Sequence, residues 1–239
     1  MVATTYHVDG SVAVSGDGSE GNPYKTIGEA ITQAVDGDSV AIAAGTYAES
    51  LAISEALTLT GSGGVTIAPG SAVAAVVDLS GTVGAVSLQG ITIDGDGVGL
   101  IGIRTAGGAS VASLTLTDVT VREVANYGLL ANPNTLQSLT IDGGTFSDNG
   151  TSTVSGAAHI HLWGFTGDAS LTDVTITGAA TPTPTSATNP EYGIQFTGLI
   201  NEDLGTSASP DIGTVVLDGV VVTGAFGKNA FAVFNYGSI

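Results

Sequence analysis

SLQGITI (residues 87–93) recurs down the chain as TLTDVTV (115–121), TIDGGTF (140–146), SLTDVTI (170–176) and VLDGVVV (216–222). Each run reads as two short strands joined by a tight turn. Gly90, Asp118, Gly143, Asp173 and Gly219 stand at the turn, and both residue types tolerate turn conformations. The markers Leu88, Leu116, Ile141, Leu171 and Leu217 are 28, 25, 30 and 46 residues apart. A third strand-like run precedes each unit from the second onward: GIRTA (102–106), GLLAN (128–132), HIHLW (159–163) and GIQFT (193–197). FAVFN (231–235) follows the last. Three short strands in a coil of about 25 residues predict an all-β parallel β-helix. One such coil has too little apolar surface to fold alone, so stacking creates the core.

Composition agrees. Hydrophobic residues make up 43% of the 239, but aromatics only 5%. The core is therefore built from Val, Ile, Leu and Ala, which suits strands. A single domain over residues 1–239 is predicted, with stacked coils from about residue 38. The helix predicted over 26–35 rests on the capping box Thr26-x-x-Glu29. Its apolar stripe is Ile27, Ala30, Ile31 and Ala34.

The net charge of −18, with only four Lys or Arg, argues against nucleic acid, whose phosphates need cations. It argues equally against an anionic membrane surface. No run of 18 apolar residues is available to span a membrane as a helix. High acid with little lysine points to an extracellular or cell-surface protein. The first ten residues, MVATTYHVDG, carry no basic and apolar leader pattern, and FAVFNYGSI (231–239) stops just after a third strand. These two features predict a piece of a longer chain, or a last coil that associates end to end.

GDGSEGNPYKTIGEAI (16–31), GDSVAIAAGTYAES (37–50) and LTLTGSGG (57–64) together resemble the start of right-handed parallel β-helix proteins of the pectate-lyase-like superfamily. The resemblance implies right-handed winding and a small helix capping the first coil. It says little about activity, because the same opening precedes lyases, hydrolases, epimerases and adhesins. In the family's polysaccharide lyases a Lys or Arg base stands on the third-strand face, often beside calcium.

Strand side chains alternate, so the apolar parity of the third strand is predicted to point inward. That parity is Ile103, Leu129, Ile160, Ile194 and Ala232, then Thr105, Ala131, Leu162, Phe196 and Phe234. The opposite parity forms three outward columns. The first is Gly102, Gly128, His159, Gly193 and Phe231. The second is Arg104, Leu130, His161, Gln195 and Val233, with Asp78 a coil earlier. The third is Ala106, Asn132, Trp163, Thr197 and Asn235. His159, His161 and Trp163 are thus expected to share an exposed face.

Two histidines with Gly, Leu, Gln, Asn and Thr as neighbours make a poor metal site. A flat indole ringed by hydrogen-bonding groups suits a sugar better. The expected glycan-binding residues are Asn132, His159, His161, Trp163, Gln195 and Thr197. Longer connections over 147–157, 178–191 and 198–213 are expected to flank them. The leading expectation is a surface or adhesin-like module that binds glycan. The alternative is a polysaccharide-degrading enzyme, a uronate lyase with Arg104 and His161 as its catalytic groups. No cofactor is required by either reading. Calcium is the candidate ion, at Asp94 and Asp96 of IDGDG (93–97), although one acidic turn is more often merely solvated.

Overall fold

The computed structural model describes residues 2–150, 157–178, 192–197 and 213–234. Its strands form long parallel ladders that run from coil to coil. The first strand of successive coils pairs along Ser39–Ile42, Thr58–Ile67, Thr82–Asp94, Ser110–Thr117, Ser138–Asp142, Asp168–Thr172 and Val215–Asp218. Thr5–Val8 adds one more strand beside Ser39–Ile42. Gly45–Tyr47 opens the second ladder, which reaches Thr120–Arg122, Thr145–Ser147, Thr175–Thr177 and Val221–Thr223 through the far halves of the two long strands. The third sheet has seven strands: Leu51–Ile53, Val77–Leu79, Ile101–Thr105, Tyr127–Ala131, Ala158–Trp163, Tyr192–Thr197 and Asn229–Phe234. The result is an all-β parallel solenoid.

The turn between first and second strands has the conformation its residues allow. Gly90, Asp118, Gly143, Asp173 and Gly219 all take positive φ, between 51° and 72°. Aspartate tolerates this region better than most side chains, and glycine freely. A β-branched residue at any of these five positions would strain the bend.

Inward side chains stack rung on rung. Leu59, Leu88, Leu116, Ile141 and Leu171 form one column. Ile67, Ile93, Val121, Phe146 and Ile176 form a second. All ten are buried, each stabilising by roughly 2 kcal/mol through removal from water. The third column, Ile53, Leu79, Thr105, Ala131, Leu162 and Phe196, contains one polar member. The Thr105 hydroxyl is paired with that of Thr135 and also accepts from the Asn132 amide at 3.1 Å.

The helix spans Ile27–Gln33, shorter at both ends than 26–35, with Thr26 as its N-cap and both halves of the capping box formed. The Glu49 carboxylate accepts the Ile27 and Gly28 amides, both at 2.9 Å, so two further orphan donors are satisfied. Ile27 and Ala30 are buried in the core.

The last strand differs from the sequence expectation. Phe231 registers with Ile194 and Val233 with Phe196, while Ala232 lies opposite Gln195. Ala232 and Phe231 therefore exchange faces relative to the expected parity, and Val233 moves with Phe231. The reason is local: FAVF is apolar at both parities, so hydrophobicity could not choose. The larger Phe231 and Val233 follow the core columns, and Phe231 packs 5.9 Å from Phe196.

Candidate functional site

The register places the predicted second column as drawn up to the last coil: Asp78, Arg104, Leu130, His161, Gln195 and then Ala232. Trp163 pairs with Thr197. Neighbouring rungs are about 4.8 Å apart. The indole of Trp163 is 43% exposed. It lies parallel to the His161 imidazole, with 11° between planes and 6.3 Å between centroids. Tyr127, a coil earlier, puts its ring 5.4 Å from His161.

His161 and Gln195 are not open to solvent as expected; each is only 8% exposed. They meet at one hydroxyl. The Thr197 Oγ1 lies 3.1 Å from His161 Nε2 and accepts from Gln195 Nε2 at 3.1 Å. His161 Nδ1 and Gln195 Oε1 are buried without a hydrogen-bond partner. Burial pushes the His161 pKa down to about 4, so the ring is neutral at pH 7.

His159 departs from the expectation altogether. It is wholly buried. Strict alternation would put it on the face of His161. Instead Ala158 belongs to a small apolar cluster with Tyr192, Ala232 and Tyr127, while His159 and Ile160 both turn away from solvent. Gly128, its neighbour in the column, shows which way the column points. A β-carbon there would meet the His159 carbonyl oxygen at 2.4 Å and the core ring of Phe146 at 3.0 Å. The chain bends at this corner of the coil, and two successive residues face inward.

The pocket around His159 is built by Asn149, which the sequence reading missed. Its Nδ2 donates to the Val121 carbonyl at 2.9 Å and to His159 Nδ1 at 3.2 Å, and its Oδ1 accepts the Val124 amide at 3.4 Å. These contacts fix the imidazole as the Nε2–H tautomer. Phe226 stands at 79° to the ring, 6.0 Å away. Burial pushes the His159 pKa down to about 4. The residue is structural and belongs to no exposed platform. The signal that could have found it is Gly128 and Gly193 on either side of it, which leave room for an inward ring.

Both imidazoles tie stability to pH. Each has a folded pKa below the ordinary value of 6.5. The unfolded chain therefore binds protons that the folded chain refuses. Stability is complete above about pH 6.5 and is lost as pH falls toward 4. At about 1.4 kcal/mol for each pH unit over which the folded group resists its proton, the two rings together cost several kcal/mol. Thermal melts should show stability falling through the interval from pH 6.5 to 4, most steeply near its middle. A melting temperature flat across that interval would contradict the burial of both rings.

Asn132 is partly committed. Its Nδ2 donates to the Thr105 carbonyl at 2.6 Å, and its own carbonyl accepts from the Thr135 hydroxyl at 2.6 Å. Arg104 donates through Nε and Nη2 to the two oxygens of Asp78, at 2.9 and 2.6 Å. That bidentate pair raises the Arg104 pKa further. It leaves the guanidinium neutralised, with the Leu130 rung between it and His161. Asp94 is paired with Arg122 at 2.8 Å and accepts the Asp96 amide at 2.8 Å. Arg122 thus supplies Asp94 with a cation, and Asp96 forms an exposed turn at φ 49°. Among the described residues no group of three or more His, Asp or Glu converges on a metal position. None of the described helices is long and apolar enough to cross a membrane.

The connections TPTPTS (181–186) and NED (201–203) lie outside the described residues, as do 151–156 and Asn235. The Phe234 side chain lies outside them as well.

No curated protein matches the chain. Residues 10–213 match the family described as "Protein of unknown function (DUF1565)", which is associated with parallel β-helix proteins. The match runs from the stretch before the helix to the start of the last coil, and it agrees with the parallel ladders. The chain belongs to the DUF1565 family.

Proposed function

We propose that this chain is an extracellular, adhesin-like surface module that binds glycan on the outward face of its third sheet. In this reading the solenoid winds to the right, as in the pectate-lyase-like superfamily, and helix Ile27–Gln33 covers its first coil. The observation that carries the proposal is the exposed Trp163 indole, parallel to His161, with Gln195 and Thr197 on the adjoining rung. A sugar ring stacks its C–H face on such an indole, and a few fixed polar groups at the edge set its orientation. A glycan array probed with the whole chain tests the reading. Saturable binding that is lost in Trp163→Ala supports it; no bound glycan, or binding indifferent to that substitution, overturns it.

The uronate-lyase alternative has less support. Its arginine is already neutralised by Asp78, whereas an eliminating base or carboxylate clamp needs a group free to meet substrate. We expect no unsaturated product from uronate polymers. Product that disappears in Arg104→Ala would restore the enzymatic reading. We also expect glycan binding to survive chelation, because Asp94 has Arg122 as its counter-charge; loss of binding with EDTA, restored by calcium, would contradict this.

A second partner surface follows from the last described coil. Leu217, Phe231 and Val233 continue the core columns, and all three are exposed. We propose that this end meets a second copy. Light scattering should show mass rising with concentration, and Phe231→Lys with Val233→Lys should hold the chain monomeric. A constant monomer mass in the unsubstituted chain would contradict it.

A further inference from the structure

We propose that strand Ala158–Trp163 is an acid-operated break in the stack: protonating its two histidines opens the strands from Ser138–Asp142 onward, while the coils up to Tyr127–Ala131 stay folded. The device is independent of any ligand at Trp163.

The latch is Asn149. Its Nδ2 donates to the Val121 carbonyl of the preceding coil and to His159 Nδ1, and its Oδ1 accepts the Val124 amide. A proton added at His159 Nδ1 turns one of these bonds into a donor facing a donor. Rotating the amide by half a turn would offer Oδ1 to the imidazolium. It would also set Oδ1 against the Val121 carbonyl and Nδ2 against the Val124 N–H. The proton therefore breaks either the bond to His159 or the two bonds that hold the preceding coil. His159 Nε2 has no hydrogen-bond partner to compensate. Phe226 of the last coil stands against the ring and offers no lone pair.

His161 adds to the break. As an imidazolium it would carry two N–H groups, with the Thr197 hydroxyl oxygen before Nε2 and no partner at Nδ1. The flanking strands bring Tyr127 and Tyr192, and Lys228 stands 5.5 Å above the Tyr192 ring. On the same column Arg104 is paired with Asp78, two rungs from His161. Around Asn149, Arg122 is paired with Asp94, while Asp148 and Glu123 are exposed. Burial is what lowers the pKa of both rings.

The opening has a direction because a solenoid coil is held only by its neighbours. Beyond the break lies the loosest coil, with Leu217, Val221, Phe231 and Val233 exposed. Before it, the third histidine, His7, is partly exposed on Thr5–Val8. The acids that tie down the first coils respond in a different pH range. Asp38 accepts the Thr4 and Val35 amides, which hold its carboxyl below the ordinary value of 3.8. Hydrogen bonds from Ser15 and then Thr26 hold Glu29 below 4.5. A lowered carboxylate keeps its stabilisation above the ordinary value and loses it only below. A lowered imidazole loses stability as soon as pH falls through 6.5. At pH 5 the histidine coil is therefore weakened and the first coils are not.

The test is hydrogen exchange of the whole chain at pH 7 and pH 5, read by mass spectrometry as protection relative to the intrinsic rate at each pH. Amides of Ser138–Asp142, Ala158–Trp163 and Asp168–Thr172 should lose protection about a hundredfold or more, because each ring shifts the opening equilibrium by over about tenfold. Those of Ser39–Ile42, Thr58–Ile67 and Thr82–Asp94 should change by less than about threefold. In the double variant His159→Gln, His161→Phe the polarised loss should disappear. Equal loss along the whole stack would show a single cooperative unit and overturn the proposal. So would full protection of Ala158–Trp163 at pH 5, or a polarised loss that persists in the double variant. Imidazole NMR titration of the unsubstituted chain decides the matter should that variant not fold. Rings that take up protons only as protection is lost support the proposal, whereas rings that charge near pH 6.5 with their strands still protected would overturn it.

Discussion

Trp163→Ala is expected to weaken glycan binding about thirtyfold or more while moving Tm by no more than about 2 °C. An aromatic side chain at the centre of a binding face typically contributes 2 kcal/mol or more when truncated, which is about thirtyfold in affinity. The indole is 43% exposed and stands at the end of its strand, so its removal opens no cavity in the core columns. Exposed positions of this kind change stability by about 0.5 kcal/mol or less, which in a domain of this size is a degree or two. Isothermal titration beside a thermal melt separates the two effects. A large fall in Tm would mean that Trp163 holds the fold, and the platform would lose its rationale.

Asn149→Ala should do the reverse, lowering stability by roughly 3–9 kcal/mol. Asn149 is wholly buried and serves three groups: the Val121 carbonyl, the Val124 amide and His159 Nδ1. Truncation strands all three, and each buried unsatisfied group costs about 1–3 kcal/mol. The link joins successive coils, because Val121 and Val124 belong to the coil before. Denaturant unfolding is the measurement, and a loss below about 1 kcal/mol would show that water replaces the amide. Glycan affinity measured well below the melting point should stay within about twofold, since His159 and Asn149 lie behind the binding face.

These two residues also mark what the sequence could and could not reveal. The solenoid was legible because its constraint is repeated: a turn with positive φ at Gly90, Asp118, Gly143, Asp173 and Gly219 tolerates few residue types, and five copies make the pattern plain. The order of the Asp78 to Gln195 column followed from the same register. His159 was misread because alternation holds along a straight strand and fails at a corner, where His159 and Ile160 both turn inward. Asn149 was passed over because a lone Asn beside Gly150 looks like any turn; its backbone partners come from the coil stacked beneath it. In the last strand, FAVF offered two apolar parities and no means of choosing between them. The burial of His161 and Gln195 was likewise hidden, since alternation says which way a side chain points and nothing about what covers it.

Trp163 is the single tryptophan among the 239 residues, so intrinsic fluorescence reports on the proposed binding face without a label. Titrating the whole chain with a glycan that binds on the array should give a saturable change in emission. Its midpoint should match the calorimetric affinity. A glycan that binds by calorimetry yet leaves the Trp163 emission unchanged at saturation would place binding elsewhere and contradict the account.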